Sequence, residues 1–220
     1  MKITAINGSP RKKWNTAMML QSALEGAASR GAQTELVHLY DLNFRGCISC
    51  FACKLKGGSS YARCAMRDEL TPVLDALDAA DAMILGSPIY FGTVTGEMRS
   101  FMERLLFQYL AYTMPPSSLF GRQMQTAFIY TMNMPEKMIQ ETDYAVHLRQ
   151  NEGALAHIFG HSETLCSFET LQFEDYDKVV FEYCDPHERL ERRRTVFPKD
   201  LGRAFALGAR MAEAAGDATG

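Results

Sequence analysis

Lys2-Ile3-Thr4-Ala5-Ile6-Asn7-Gly8-Ser9-Pro10-Arg11-Lys12-Lys13-Trp14-Asn15-Thr16 is an apolar run stopped by Gly-Ser-Pro, and Thr16 to Arg30 follows it with Met19, Leu20, Ala23, Leu24 and Ala27 at helical spacing. That predicts strand, loop, helix. Outward from it the alternation repeats. Gln33 to Leu39 is expected as a strand, Asp68 to Ala80 as a helix, and Ala82 to Ser87 as a strand apolar enough to be covered on both faces. Thr95 to Leu110 carries an inner stripe of Met98, Phe101, Met102, Leu105 and Leu106 and is expected as a helix. Strands are expected at Gln125 to Thr131 and Leu165 to Leu171, separated by a helical stretch from Glu136 to Phe159, with a last helix at Leu201 to Ala214. Strands alternating with helices predict a doubly wound α/β fold with a five-stranded parallel sheet in the order 2-1-3-4-5, its ligand at the carboxyl ends of the strands.

The chain has 220 residues, which fits one domain spanning 1–220, with residues 44–67 and 172–199 as insertions. The second insertion is expected to pack against a neighbouring subunit, making the protein a homo-oligomer. A net charge of -3 gives no electrostatic reason for nucleic-acid binding. Without an apolar stretch of membrane-spanning length or a leader before the first strand, the chain reads as cytoplasmic. In that compartment six cysteines are not a disulfide framework, which turns attention to metal ligation or redox chemistry.

The loop from Asn7 to Thr16 joins a strand to a helix N-terminus, where backbone N–H groups and the helix dipole attract an anion. Ser9, Arg11, Asn15 and Thr16 supply the donors a phosphate needs there. It is neither a Walker loop nor a G-x-G-x-x-G turn. The competing reading is an ordinary polar turn with Asn15 as N-cap. Gly86-Ser87-Pro88-Ile89-Tyr90-Phe91-Gly92-Thr93-Val94-Thr95-Gly96 follows the third strand, which the predicted topology sets beside the first loop. Pro88, Ile89, Tyr90, Phe91 and Gly92 offer the apolar and aromatic surface on which a flat ring lies, and the alternative is a hydrophobic turn packed into the core.

With these two loops the sequence resembles the NADPH-dependent FMN reductase and iron–sulfur flavoprotein family. The resemblance is close over the first half of the chain and extends to the second half only in the order of elements. It implies FMN, with its phosphate on Ser9, Arg11, Asn15 and Thr16, its ring along Pro88 to Gly92, and a third contact from the loop Thr131-Met132-Asn133-Met134, assigned to Met132. It also implies NAD(P)H as electron donor and a small acceptor such as a quinone or a flavin. In such a site the flavin carries the chemistry, so no catalytic side chain is nominated. Backbone N–H groups of Gly92 to Thr95 are expected at the flavin edge where negative charge grows.

Cys47, Cys50 and Cys53 have C-x2-C-x2-C spacing, and Cys64 follows after ten residues. This pattern suits a 4Fe-4S cluster, since a compact loop wraps three corners of a cube and a fourth cysteine closes it. The iron–sulfur flavoproteins carry a similar compact motif after the second strand, with a shorter last gap. A cluster here would make the protein an electron carrier to a redox protein. Zinc, a redox pair such as Cys50 with Cys53, and plain thiols in a flavin-only reductase are the other readings. Cys166 and Cys184 read as packing thiols, His157 and His161 as surface histidines on one helix face, and Glu188 to Arg194 as a solvated charged face. Trp14 either covers the ligand or packs.

Overall fold

The computed structural model describes residues 1–217. Its main sheet has five parallel strands, which we number β1 (Lys2–Asn7), β2 (Gln33–His38), β3 (Ala82–Pro88), β4 (Met124–Thr131) and β5 (Gly160–Ser167), in the spatial order β2-β1-β3-β4-β5. The predicted order is therefore the observed one. Helices α1 (Asn15–Ala28), α2 (Thr71–Asp78), α3 (Gly96–Tyr109), α4 (Lys137–Glu141), α5 (Tyr144–Phe159), α6 (Pro186–Thr195) and α7 (Phe197–Asp217) connect and follow the strands.

Two separate cores sandwich the sheet. On one face Met19, Leu20 and Ala23 of α1 and Ala204, Leu207 and Met211 of α7 pack on Ile3, Ile84 and Ile129. On the other, Leu74 and Leu77 of α2, Met98, Phe101 and Leu105 of α3 and Leu155 and Phe159 of α5 pack on Ile6, Leu85 and Phe128. β3 is central and buried along nearly its whole length, which is why its sequence is uninterruptedly apolar. Helices α1 and α7 cross at backbone contact: a Cβ on Gly208 would lie 1.7 Å from the Ala23 carbonyl oxygen, and one on Gly26 would lie 1.9 Å from that of Phe205. Only glycine permits this approach.

Several features differ from expectation, among them the start of the last helix, at Phe197 instead of Leu201. β5 runs over Gly160–Ser167 instead of Leu165 to Leu171, because the edge strand itself carries polar residues while the apolar Phe168, packed on the core, and the buried Leu171 lie in the segment after it. The stretch from Glu136 to Phe159 is two helices: Thr142 is extended, at φ -127° and ψ 163°, and its Oγ1 donates back to the Met138 carbonyl at 2.7 Å. His161 lies in β5, one residue after its start, so it shares no helix face with His157.

Candidate functional site

Strand order reverses between β1 and β3, and a pocket of about 650 Å³ opens where their carboxyl ends meet that of β4. Ser9, Arg11, Trp14, Asn15 and Thr16 line one side, Pro88, Ile89 and Tyr90 another, and Thr131, Met132 and Asn133 the third. The structure thus brings eight of the ten expected binding residues together, Met132 among them. Phe91 and Gly92 do not line the pocket. Tyr90 and Thr93 exchange backbone hydrogen bonds of 2.8 and 3.1 Å, and the two residues between them have positive φ, 49° at Phe91 and 85° at Gly92. This tight turn throws the Phe91 ring into solvent, fully exposed, and leaves Tyr90 on the pocket side. A Cβ on Gly92 would meet the Tyr144 ring at 2.5 Å, so both its φ and its space call for glycine.

The phosphate loop is shaped from within. Asn7 Oδ1 accepts the Ser9 N–H at 3.0 Å, Ser9 Oγ accepts the Arg11 N–H at 3.2 Å, and Thr95 Oγ1 donates to the Gly8 carbonyl at 2.6 Å, tying the loop to the cap of α3. Helix α1 begins at Asn15 with Trp14 in the cap position, and no side chain caps it. Asn15 is therefore inside the helix instead of capping it. The N-terminal turn of α1 opens on the pocket with Thr16 buried beside it, its hydroxyl 2.8 Å from that of Thr131. An uncapped helix N-terminus lined by Ser, Asn and Thr suits a phosphate group. Arg11 lies over the Trp14 ring at 3.9 Å and donates to the Gln172 carbonyl at 2.6 Å, so it holds the pocket rim.

The rim comes from residues expected as the end of the fifth strand and as an insertion facing a neighbouring subunit. Residues 170–175 and Lys178 line the pocket opposite the ring loop, and the Leu171 carbonyl accepts from Trp14 Nε1 at 2.9 Å and Asn15 Nδ2 at 2.8 Å. Trp14 thereby lines the ligand space and anchors its cover. Helix α6 fastens these loops with three arginines. Arg189 donates to Asn133 Oδ1 at 2.8 Å and to Glu169 Oε1 at 3.1 Å, Arg192 to the Phe168 carbonyl at 2.7 Å, and Arg193 to Asn15 Oδ1 at 2.7 Å. Glu188 to Arg194 is thus solvated on one side only: Glu188, Glu191 and Arg194 are exposed, whereas Arg189 is 4% exposed and burial pulls the Arg193 pKa below its usual value. At the ring loop, the N–H groups of Thr93 and Thr95 donate to the Tyr90 carbonyl and to Ser87 Oγ, so they are engaged with the protein instead of facing a flavin edge.

Cys47, Cys50, Cys53 and Cys64 line one small cavity of about 20 Å³, together with Phe107, Gln108 and Arg104 of α3. It shares no lining residue with the larger pocket. The loop is tied to α3 at several points. Lys54 Nζ donates to the Phe107, Gln108 and Leu110 carbonyls, satisfying the end of the helix, while the Cys64 N–H donates to Gln108 Oε1 at 2.9 Å and the Cys47 N–H to Glu103 Oε2 at 3.3 Å. Burial raises the pKa of Cys53, with Lys54 opposing, and burial lowers that of Lys54. Among the described residues no group of three or more His, Cys, Asp or Glu side chains is arranged around a single ion. A cubane cluster has its thiolates around a body instead of a point, and Cys50 is exposed at the outer edge of the loop, beside Phe51, whose ring packs edge-on against Phe107. Cys166 is a half-buried thiol in β5, packed against the core, with its pKa pushed up to about 12, chiefly by burial, as expected for a packing residue.

The sheet order and the loops at its switch point define a flavodoxin-like α/β protein. Among solved structures it is similar to the NAD(P)H:quinone oxidoreductase from Methanothermobacter marburgensis, with a TM-score of 0.68 and 16% identity over 95% of this chain and 98% of that one. It is similar also to an FMN-dependent NADH-azoreductase from Bacillus anthracis in complex with FMN, with a TM-score of 0.65 and 13% identity over 96% of this chain and 100% of the other. The chain belongs to the NADPH-dependent FMN reductase family, whose model matches residues 1–129. Iron–sulfur flavoproteins are similar over the same half: one from Methanocaldococcus jannaschii is 38% identical over 104 residues, 47% of this chain and 51% of the relative. One from Archaeoglobus fulgidus is 39% identical over 104 residues, 47% of this chain and 48% of the relative. The match spans about half the length of each of these relatives.

Proposed function

We propose that the chain is an FMN-dependent NAD(P)H oxidoreductase that passes electrons to a small acceptor such as a quinone or a free flavin. The observation that carries this reading is the joining of the uncapped N-terminus of α1 and the Tyr90 arm in one pocket of about 650 Å³, a phosphate end and a ring end at suitable positions for one nucleotide. When bound, FMN supplies the redox chemistry, accepting a hydride from the nicotinamide and releasing electrons to the acceptor. The loop from Ser9 to Thr16 holds the phosphate, Ile89 and Tyr90 give the ring an apolar wall, and residues 170–175 cover the site. Asn15 and Thr16 are kept oriented by Arg193 and Thr131.

The test is anaerobic mixing of FMN-loaded protein with NADPH and with NADH while flavin absorbance is followed. Bleaching by at least one nicotinamide, reversed by a quinone or a free flavin, is the expected result. Protein that holds FMN but is bleached by neither nicotinamide contradicts the reading.

A second reading, an electron-transfer iron–sulfur flavoprotein, is favoured by the gathering of Cys47, Cys50, Cys53 and Cys64 around one cavity beside a buried guanidinium. The donor set fits a 4Fe-4S cluster: four soft sulfur ligands, and a positive charge to offset the thiolates.

A further inference from the structure

Arg104 lies in the body of α3, 1% exposed, and reaches the cavity that the four cysteines line. Its Nη1 donates to Asp68 Oδ2 at 2.5 Å and to the Arg45 carbonyl at 3.2 Å. Its Nε and Nη2 are also buried, and neither makes a hydrogen bond of good geometry among the described residues, although the guanidinium already interacts with the Cys64 thiol. Folded proteins leave few buried polar atoms unsatisfied, and a charged donor is the most unfavourable kind to leave so. Anchoring the cysteine loop to α3 accounts for Nη1 alone. The remaining N–H groups belong to a rigid fork that cannot be deprotonated, so they require an acceptor.

The neighbouring charges narrow what that acceptor is. Asp68 already faces Nη1, Glu103 Oε2 accepts the Cys47 N–H, and the Lys54 ammonium is held by the carbonyls ending α3. Apart from Gln108, whose Oε1 accepts the Cys64 N–H, sulfur is the acceptor that the side chains lining the cavity offer. Thiolates and bridging sulfides accept N–H donors, and hydrogen bonds to them, with burial and net charge, set a cluster's reduction potential.

Resting on the second reading above, we propose that Arg104 is a positioning residue for a 4Fe-4S cluster on Cys47, Cys50, Cys53 and Cys64, its Nε–H and Nη2–H donating to cluster sulfur. Uptake of one electron makes that sulfur more negative and strengthens charge-assisted hydrogen bonds to it. Arg104 therefore stabilises the reduced form more than the oxidised form and raises the potential.

The experiment uses the full chain, loaded with FMN and reconstituted anaerobically with ferrous iron and sulfide. It is titrated with dithionite, which supplies the electron, as wild type, Arg104→Lys and Arg104→Met. Wild type should take up close to four irons per chain. Loss of the guanidinium in Arg104→Met should lower the reduction equilibrium constant about tenfold, ~59 mV for a one-electron couple, with a smaller fall in Arg104→Lys. FMN content should not change, because Arg104 is no part of the flavin pocket. Pulsed EPR of the reduced wild-type cluster in protein grown on 15N-arginine should show a nitrogen coupling that Arg104→Lys lacks. This readout stands even if Arg104→Met does not fold. Wild-type protein that takes up no iron overturns the cluster reading and the proposal with it. A loaded wild type without the coupling, and with variant potentials equal to its own, overturns the role of Arg104 while leaving the cluster in place.

Discussion

Asn7 is the last residue of β1, and both ends of its side chain are committed. Its Oδ1 accepts the Ser9 N–H at 3.0 Å, so its Nδ2 must be the donor to His38 Nδ1, 2.9 Å away. The ring is then neutral with its proton on Nε2, and protonating Nδ1 breaks the contact that steadies the start of the phosphate loop. Burial lowers the His38 pKa from 6.5, with Asp41 opposing and Lys12 adding to the fall. A folded pKa below the unfolded one means that the unfolded chain binds the proton first as pH drops. The contribution of His38 is therefore fully present above the unfolded value of 6.5 and is lost as pH falls through the folded pKa. Thermal melts of the apoprotein should show a Tm that declines below about pH 6.5, and a shallower decline in His38→Gln. Identical slopes in the two proteins would rule this account of the loop out. Ser9 and Thr16 were readable as loop donors because hydroxyls beside a helix start have few other uses. Arg11 was named for its charge, yet its guanidinium is held by Trp14 and Gln172, partners whose nearness depends on tertiary structure.

Helix α6 shows at the level of elements what local pattern does and does not reveal. Pro186 at its first turn and the Asp185 side chain accepting the His187 N–H at 2.9 Å are ordinary start signals. Its run of glutamates and arginines has the composition of a surface helix, and nothing in that composition tells that Arg189 and Arg193 reach inward to loops from other strands. Arg193 packs over the Phe197 ring at 4.2 Å and orients Asn15 at the head of α1. Arg193→Ala should weaken FMN binding about tenfold through a loosened Asn15, the loss of roughly one charge-assisted hydrogen bond. Calorimetric titration of folded apoprotein checks this, and unchanged affinity would show that α6 only packs. β1, β3 and β4 were legible because they are central and apolar. β5 was misplaced because an edge strand needs little apolarity, while beyond it Phe168 packs on the core and Leu171 lines the pocket. The Tyr90 arm was legible as an aromatic loop, but the turn that exposes Phe91 depends on two positive φ angles that no spacing encodes.

At the scale of the whole molecule, the doubly wound sheet brings distant segments to one edge: the loop after β1, the arm after β3, the turn after β4 and the cover after β5 converge on a single pocket. The matched family residues 1–129 supply the first two of these, and the cover comes from the part of the chain beyond them. The cysteine cavity sits apart from this pocket and is built on α3, whose capped N-terminus also steadies the phosphate loop through Thr95. Flavin binding and any metal loading are therefore separable properties of one fold. Among the described residues no helix is long and apolar enough to cross a membrane. If the head of α1 is a phosphate site for a flavin nucleotide, the apoprotein must distinguish FMN from riboflavin, which lacks only the phosphate. Fluorescence titration of the apoprotein should give one FMN per chain and an affinity for riboflavin lower by about 100-fold or more, the worth of two charge-assisted hydrogen bonds. Equal affinities for FMN and riboflavin, or no binding of either, would contradict it.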